Sequence, residues 1–351
     1  MVNERKLRAL TNSAKYPGRV YNFIKYSTRR KKMEESLNYL PFSMDIEPTT
    51  ACNFRCQMCQ VSDPDFKAAH MSMDTFKKTI EDNPSLVKIK LQGMGEPFTC
   101  PSIFEMIEYA SKKNIMIEMT SNGSLLTDKN IQKIINSQIT RLIISVDGAC
   151  KETFEKIRVR SNFDRVVTGV RNLSQELKKT KSIMELKAWT VVQRDNIAEV
   201  HKIVELVHDL GFKDLTFQVN LTGWGKDEWN EKNKGFEVNT SEGSAGAMLD
   251  KAFSRAKELG LDLKIYDNEL YSEEKPCAWP WHSSYVDAQG YVIPCCLIAD
   301  KDVKNFGNIN ERPYWEIWNS QEYKDFRNDI KNHRIPDYCK NCYKDCHSKK
   351  Q

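Results

Sequence analysis

Eleven cysteines are the residues of this sequence best suited to chemistry, and most of them occur in groups. Cys52, Cys56 and Cys59 lie close together in the first part of the chain, and a second trio lies in its last part: Cys339, Cys342 and Cys346. An odd number of cysteines cannot pair completely into disulfides, and no apolar secretory signal opens the sequence. Since clustered thiols in a reducing compartment are typically metal ligands, we expect a cytoplasmic metalloprotein.

The first trio has the spacing C-x3-C-x2-C and directly follows a predicted strand. Three thiolates on one loop can hold three irons of a [4Fe–4S] cube, which leaves the fourth iron open to another molecule. An open metal position is what a catalytic site needs. A structural zinc ion is the alternative, and His70 is the nearby residue that could complete its ligands.

The elements that would position these cysteines alternate between strand and helix. Apolar, β-branched runs predict strands at residues 42–46, 86–91, 115–119, 142–146, 186–192 and 215–219, and helical periodicity lies between them. Six successive units predict an α/β fold with a parallel sheet. Periodicity leaves open a doubly wound sheet or a partial barrel, but in both folds ligands bind at the carboxyl ends of the strands.

Composition excludes several classes of protein. The chain has 351 residues, of which 40% are hydrophobic and 29% charged, so it is neither disordered, collagen-like nor a small disulfide scaffold. No apolar run is long enough to cross a membrane, and a net charge of +5 gives no reason to expect nucleic acid binding. Residues 1–32 carry ten Lys or Arg against one acid, which predicts contact with an anionic partner or membrane surface, or else a solvated helix packed on the domain.

With its C-x3-C-x2-C loop after the first strand, the sequence resembles the radical SAM enzymes over about residues 42–220. The resemblance implies a partial (β/α)6 TIM-like barrel, a [4Fe–4S] cluster on the first trio, and S-adenosylmethionine (SAM) on that cluster. It also implies a set of SAM contacts. These are Gly93, Gly95 and Glu96 for the amino group, Ser121 and Asn122 for the ribose, Ser145 and Arg158 for the carboxylate, and Val192, Met58 and Phe54 for the adenine.

The remaining cysteines resemble the SPASM/twitch extension that a subset of radical SAM enzymes carries. The resemblance implies one auxiliary [4Fe–4S] cluster on four ligands, with Cys346 and Cys296 as substitutes for them: Cys277, Cys295, Cys339 and Cys342. The two-cluster form has a further cysteine after the last trio, and the sequence has none there. A structural zinc site that uses His333 or His347 is the alternative.

These expectations divide the chain into four segments: a basic arm (1–38), the barrel (39–225), a linker with a helix and a strand (226–275) and the auxiliary cluster domain (276–351). We expect an oxidoreductase that generates a 5′-deoxyadenosyl radical, abstracts hydrogen from a small polar substrate such as a sugar or aminosugar, and passes an electron to the auxiliary cluster. Flavodoxin or ferredoxin would supply electrons.

Two alternatives remain open at this point. One is a maturase that oxidises, cross-links or epimerises a peptide or protein, since residues 1–32 could hold an acidic leader. Epimerisation needs a thiol that returns hydrogen, for which the candidates are Cys100, Cys150, Cys296 and Cys346. The other is a zinc protein without catalytic activity that binds nucleic acid. The substrate-facing candidates near strand ends are Trp189, Gln193, Gln218 and Asn220, and the sequence identifies no acid–base residue.

Overall fold

The computed structural model of the chain describes residues 16–239, 243–267 and 271–343. Within them, nine strands form one sheet: β1 (Ser43–Ile46), β2 (Lys88–Leu91), β3 (Met116–Ser121), β4 (Ile139–Ser145), β5 (Glu185–Val191), β6 (Asp214–Gln218), β7 (Asp262–Tyr266), β8 (Tyr285–Val286) and β9 (Val292–Ile293). The six predicted strands correspond to β1–β6.

The described helices lie between and after these strands. They are α1 (Pro17–Arg29), α2 (Met73–Glu81), α3 (Ile103–Lys112), α4 (Asp128–Ile135), α5 (Lys151–Ile157), α6 (Phe163–Lys179), α7 (Val200–Asp209), α8 (Asp227–Lys234), α9 (Gly243–Leu259), α10 (Tyr314–Trp318) and α11 (Gln321–Lys331). No helix of the described segments is long and apolar enough to cross a lipid bilayer.

The sheet keeps its strands in sequence order from β7 through β1, and then β8 and β9 follow on the far side of β1. Strands β1 to β7 are parallel, and β8 pairs with β1 in the same direction before β9 returns antiparallel. The carboxyl ends of β2 to β6 all contribute to one cavity of about 280 Å³. Because neighbouring strands lie about 4.8 Å apart, a flat sheet could not bring five strand ends together. The sheet therefore curves as the partial barrel requires.

Alternation along the strands separates an outer apolar layer from an inner polar layer. Met44 and Ile46 of β1 and Ile89 and Leu91 of β2 are fully buried in the main core. The intervening positions carry charge, and Arg141 of β4 contacts carboxylates on both neighbouring strands, Glu118 at 3.1 Å and Glu185 at 2.6 Å.

Local sequence explains where several helices begin. Ser72, Thr127, Asn162 and Ser320 cap α2, α4, α6 and α11 through side-chain oxygens that accept backbone N–H groups. The linker expected from residue 226 begins with a helix that was not predicted there, since residues 227–234 form α8. Trp229 is its one large apolar anchor, so the segment shows almost no helical periodicity, although its acids precede its lysines as the helix dipole favours.

Candidate active site

The first cysteine trio lies on the loop that follows β1. All three thiols line the 280 Å³ cavity, and the loop is held by hydrogen bonds from Cys59 N to Cys56 O (3.0 Å) and from Phe54 N to Cys52 Sγ (3.4 Å). Burial raises the pKa of Cys56 to about 12 and that of Cys59 to about 11. Buried thiols of this kind need bound metal to become thiolates, which is the condition an iron–sulfur cluster provides.

The glycines after β2 allow that loop to approach the cysteine loop closely. A Cβ on Gly95 would lie 2.4 Å from Thr49 O and 2.5 Å from Ala51 O, and a Cβ on Gly93 would overlap the Glu47 side chain. Glu96 N donates to Ala51 O at 2.8 Å. The loop between Gly93 and Glu96 is thus attached to the segment that leads into the cysteines, and both glycines line the cavity.

Glu96 also joins this loop to the end of β3. Its Oε1 accepts from Ser121 Oγ (2.8 Å) and Phe98 N (3.2 Å), and its Oε2 accepts from Asn122 N (2.6 Å). Burial raises the pKa of Glu96 to about 7, although these hydrogen bonds oppose the shift. A carboxylate offers about four acceptor positions, so one remains for a ligand amino group. Glu96, Ser121 and Asn122 all line the cavity.

Asn122 connects β3 to the cysteine loop. Its Nδ2 donates to Asn53 Oδ1 at 3.0 Å and lies 3.9 Å from Cys52 Sγ, while Asn53 Nδ2 donates to Ser124 Oγ. Hydrogen bonds therefore join the loop after β1, which carries the trio, to the loops after β2 and β3.

Arg158 places a buried cation beside the trio. Its Nη2 lies 2.6 Å from Asp147 Oδ2 and its Nη1 lies 3.9 Å from Cys56 Sγ. The buried Arg158 Nε has no hydrogen-bond partner among the described residues. A guanidinium fixed on one side by Asp147 and still holding a free N–H suits a ligand carboxylate, because Arg binds carboxylates through paired donors. Asp147 was not predicted as a site residue, although it lies only two positions after Ser145.

The remaining predicted SAM contacts divide into two groups. Ser145 and Met58 line the cavity. Phe54 and Val192 are buried in the main core and are not among the residues that line it. Val191 lines the cavity instead. Successive residues of a strand point to opposite faces of the sheet. Val192 follows Val191 directly, so its side chain points to the outer side of the sheet and not into the cavity.

Of the predicted substrate-facing residues, Gln218 lines the cavity. Trp189 Nε1 donates to Gln218 Oε1 at 3.1 Å and so helps to fix the position of the Gln218 side chain. Gln193 is fully buried, and Asn220 donates to Asp267. The other lining residues were not predicted from the sequence, and they follow strands or come from distant loops: Gln92, Met94, Thr120, Leu221, Thr222, Trp224 and Leu297.

Four cysteines of the second set gather at another place. Burial and the nearby thiols of Cys295, Cys277 and Cys342 together raise the pKa of Cys339 well above its ordinary value. Cys277 N donates to Tyr343 Oη at 3.0 Å, which ties this group to the last described residues. The gathering brings together the four expected auxiliary ligands, while Cys346 lies outside the described residues.

A single metal ion and an iron–sulfur cube make different demands on these thiols. Among the described residues, no three His, Cys, Asp or Glu side chains converge on a single ion position. A four-iron cube does not need such convergence, because each of its thiolates binds a different iron.

Cys296, the neighbour of Cys295, also lies near this group, since its thiol contributes to the raised pKa of Cys342. The Cys296 thiol hydrogen-bonds to Asp45, whose Oδ2 also accepts from Gln92 Nε2 at 2.8 Å, and it lines the same cavity as the first trio. The second cysteine group thus reaches the cavity of the first trio through Cys296.

Comparison with known proteins agrees with this geometry. A sequence model of the radical SAM superfamily matches residues 46–186, and one of the SPASM iron–sulfur cluster-binding domain matches residues 277–343. The AdoMet-dependent heme synthase of Methanosarcina barkeri is 26% identical over 294 residues, which cover 79% of this chain and 81% of that protein.

Two crystal structures have a similar fold. Streptococcus suis SuiB bound to the precursor peptide SuiA has a TM-score of 0.65 at 12% identity, covering 87% of this chain and 70% of that one. BtrN in complex with AdoMet and 2-DOIA has a TM-score of 0.53 at 17% identity, covering 87% of this chain and 94% of that one.

A curved parallel sheet with a three-cysteine loop at its carboxyl edge, followed by a second cysteine group, defines an iron–sulfur enzyme. The chain belongs to the radical SAM superfamily and carries a SPASM domain in its C-terminal region. Its cofactors are therefore a SAM-binding [4Fe–4S] cluster, an auxiliary cluster and SAM. The donor sets fit this assignment, since three thiols share the cavity with Arg158 and four gather in the C-terminal region.

Proposed function

We propose that the protein is a radical SAM oxidoreductase that removes hydrogen from a small polar substrate, such as a sugar or aminosugar, and transfers the second electron to the auxiliary cluster. One observation carries the proposal. Cys296 lines the cavity of the first trio while its neighbour Cys295 belongs to the four-cysteine group. An electron acceptor held by Cys295 would thus adjoin the cavity, within reach of a substrate radical formed there.

The walls of the cavity favour a small polar substrate. Gln92, Thr120, Gln218 and Thr222 bring hydrogen-bonding groups to it, and Trp224 and Leu297 close it with apolar surface. Pockets lined by apolar walls and a few placed polar groups are typical of small-molecule sites. BtrN, which shares the fold, was crystallised with the small molecule 2-DOIA.

The residues of this chain would bind and orient SAM. When bound, the cluster and SAM supply the one-electron chemistry that yields the 5′-deoxyadenosyl radical. We propose that Cys52, Cys56 and Cys59 hold that cluster, and that Cys277, Cys295, Cys339 and Cys342 hold the auxiliary one. Arg158 would bind the SAM carboxylate, and Asp147 would orient the Arg158 side chain. The remaining acceptor position of Glu96 would accept a hydrogen bond from the SAM amino group. Ser121 and Asn122 would position the ribose, and a flavodoxin or ferredoxin would supply the electron.

A second candidate function is epimerisation, which leaves the oxidation state of the substrate unchanged. A thiol returns a hydrogen atom to the substrate carbon, and the thiyl radical that remains would regain an electron from the reduced flavodoxin or ferredoxin and a proton from solvent. Among the free cysteines of the described residues that sequence analysis named for this role, Cys296 lines the cavity, whereas Cys100 is buried in the core and Cys150 contacts Glu199 outside it. The substrate of such a reaction could be a peptide, since SuiB was crystallised with a precursor peptide.

Product analysis separates the two functions. Anaerobically reconstituted protein is incubated in D2O with dithionite, SAM and candidate substrates, and 5′-deoxyadenosine and product masses are measured. Dehydrogenation gives a product lighter by two hydrogens and no solvent deuterium in recovered substrate, and Cys296→Ser remains active.

Deuterium at one carbon, lost in Cys296→Ser but retained in the control Cys150→Ser, would instead establish epimerisation. Absence of 5′-deoxyadenosine with every substrate would contradict the proposal. An acidic leader peptide required for turnover, with residues 1–32 also required, would assign the protein to the maturases.

A further inference from the structure

Helix α1 exposes an apolar surface that the catalytic function does not use. Tyr21 is 61% exposed, Ile24 52%, Phe23 48% and Val20 38%. Ile24 lies one turn after both Val20 and Tyr21, so the three side chains share one side of the helix. The other large exposed apolar residues of the described segments lie far apart in sequence: Val159, Ile183, Phe253, Ile265 and Trp315. The apolar surface is therefore concentrated on one short helix.

Positive charge borders this apolar face. No acid occurs between residues 17 and 32, while the end of α1 and the turn after it carry a basic run whose last three members are exposed: Arg29, Arg30, Lys31 and Lys32. Lys25 lies over the Tyr21 ring, with its Nζ 4.4 Å from the ring centroid. Arg29 is partly neutralised by Glu34 at 2.9 Å. The exposed surface thus combines apolar side chains with uncompensated cations.

The opposite face of α1 is fixed to the barrel. The buried Arg19 guanidinium donates to Pro84 O, Lys113 O and Asn114 O, and Asn22 exchanges hydrogen bonds with Leu40. These partners all precede strands β1, β2 or β3. Helix α1 therefore lies at the amino ends of the strands, at the opposite end of the barrel from the cavity.

We infer that α1 docks the enzyme on an anionic lipid surface, with Val20, Tyr21 and Ile24 entering the headgroup region and Arg30, Lys31 and Lys32 facing lipid phosphates. An amphipathic helix with aromatic and aliphatic residues beside a basic rim is suited to a bilayer interface. Each basic residue near an anionic membrane strengthens the attraction to it. This docking leaves the cavity at the far end of the barrel open to solvent.

An acidic peptide substrate fits this surface less well. Strands β1 and β2 span four residues each, about 13 Å at roughly 3.3 Å per residue, so a peptide held on α1 would begin at least that far from the cavity. A peptide also offers no layer in which Tyr21 and Ile24 can be buried together, whereas a bilayer offers one.

Vesicle co-sedimentation tests the inference with the full-length, anaerobically reconstituted protein. We expect at least roughly tenfold tighter binding to phosphatidylcholine mixed with phosphatidylglycerol than to phosphatidylcholine alone, and loss of the difference at high salt. The double variant Tyr21→Ser/Ile24→Ser and the charge variant Lys31→Gln/Lys32→Gln should both lose most of this binding. The matched control Ile183→Ser/Ile265→Ser removes exposed isoleucines elsewhere and should keep it.

Cleavage of SAM to 5′-deoxyadenosine without vesicles should be the same in every variant, which would show that each variant folds. Because this assay contains no lipid, it tests the proposed catalytic function independently of membrane binding. Equal binding to both vesicle types, no binding, or full binding by Tyr21→Ser/Ile24→Ser would overturn the inference. Binding to polyglutamate but not to anionic vesicles would overturn it in favour of an acidic protein partner.

Discussion

At the scale of single residues, the site depends most on the buried pair Asp147 and Arg158. Taking both charges out of water is costly, so such a pair contributes little to stability by itself. Its effect here is positional, since Asp147 fixes one side of the guanidinium while the other side lies beside Cys56 and the cavity. The arrangement makes Arg158 a binding residue and Asp147 its positioning residue.

Replacing Arg158→Lys should weaken SAM binding by roughly ten- to a hundredfold. An ammonium cannot present two parallel donors, and a hydrogen bond to a charged group is worth about 1.5–3 kcal/mol. Equilibrium dialysis of reconstituted protein measures the affinity, and the iron content shows whether the cluster remains. Arg171→Lys, on the exposed side of α6, is the control and should bind SAM normally. Unchanged affinity in Arg158→Lys would mean that the carboxylate binds elsewhere.

Glu47 gives the protein a pH-dependent stability. Burial raises its pKa from 4.5 to about 8, although Met94 N and Ala288 N donate to the carboxylate. Between these values the unfolded chain releases a proton that the folded chain keeps, so stability falls as pH rises through this window. Glu47→Gln cannot ionise and should show a smaller fall than the wild type, and the part of the fall caused by the raised pKa of Glu96 should remain. Melting temperatures at about pH 5 and about pH 8 measure it. Glu316→Gln, at an exposed position, should follow the wild type, and a parallel profile for Glu47→Gln would refute the assignment.

At the scale of elements, the loop after β2 works because two glycines let backbone meet backbone. Gly95→Ala should displace this loop, since the new Cβ would meet the carbonyls of Thr49 and Ala51, which cannot move aside as a side-chain tip could. We expect SAM binding to be lost and stability to fall by about 1–3 kcal/mol. Gly18→Ala is the control, because nothing lies within 4 Å of its Cβ position. Denaturant unfolding and SAM dialysis are the measurements, and normal SAM binding by Gly95→Ala would contradict the account.

The inner face of the sheet supplies a second prediction at this scale. Arg141→Met removes the cation that Glu118 and Glu185 share across three strands, and Glu118 is 6% exposed. Stability should fall by about 1.5–3 kcal/mol, because the buried Glu118 loses a charged hydrogen bond while Lys88 stays 3.6 Å from it. Arg255→Met removes an exposed cation that also contacts two carboxylates, and it should change stability by less than about 1 kcal/mol. Equal effects in denaturant unfolding would show that burial does not matter here.

Elements with a strong pattern could be predicted from sequence, and elements that depend on distant partners could not. The strands β1–β6 and the capped helices between them follow from apolar periodicity and from residues such as Ser72 and Thr127. Helix α8 has one apolar anchor, Trp229, and the position of β8 beside β1 has no local signal. The cysteine trio could be predicted because a motif fixes its spacing, whereas Gly95, Glu96 and Arg158 were expected only from the resemblance to the radical SAM enzymes. Glu47, Asp45 and Trp224 were missed because only the folded chain brings them to the site.

At the scale of the whole molecule, the C-terminal region is interlocked with the segment before β1. Trp318 Nε1 donates to Tyr39 O at 3.0 Å, and Trp281 Nε1 donates to Glu34 O at 2.8 Å. Arg327 is fully buried in the same contact region and donates to Pro280 O (2.9 Å) and Glu35 O (3.1 Å). Backbone carbonyls accept all of these hydrogen bonds. Every residue has a carbonyl, so the sequence could not predict that these two parts of the chain are in contact.

Arg327→Met should therefore destabilise the entire protein and not the C-terminal region alone. The guanidinium also lies 4.2 Å from the Trp318 ring centroid and 4.3 Å from that of Tyr323, so its removal leaves two unpaired carbonyls and two rings without their cation. We expect a loss of about 2–4 kcal/mol. Because β8 pairs with β1 within one sheet, tryptophan fluorescence and SAM binding should be lost in a single shifted denaturant transition. Arg334→Met, at an exposed ion pair, should shift it by less than about 1 kcal/mol. An early separate transition of the C-terminal region in Arg327→Met would show instead that the two regions unfold independently.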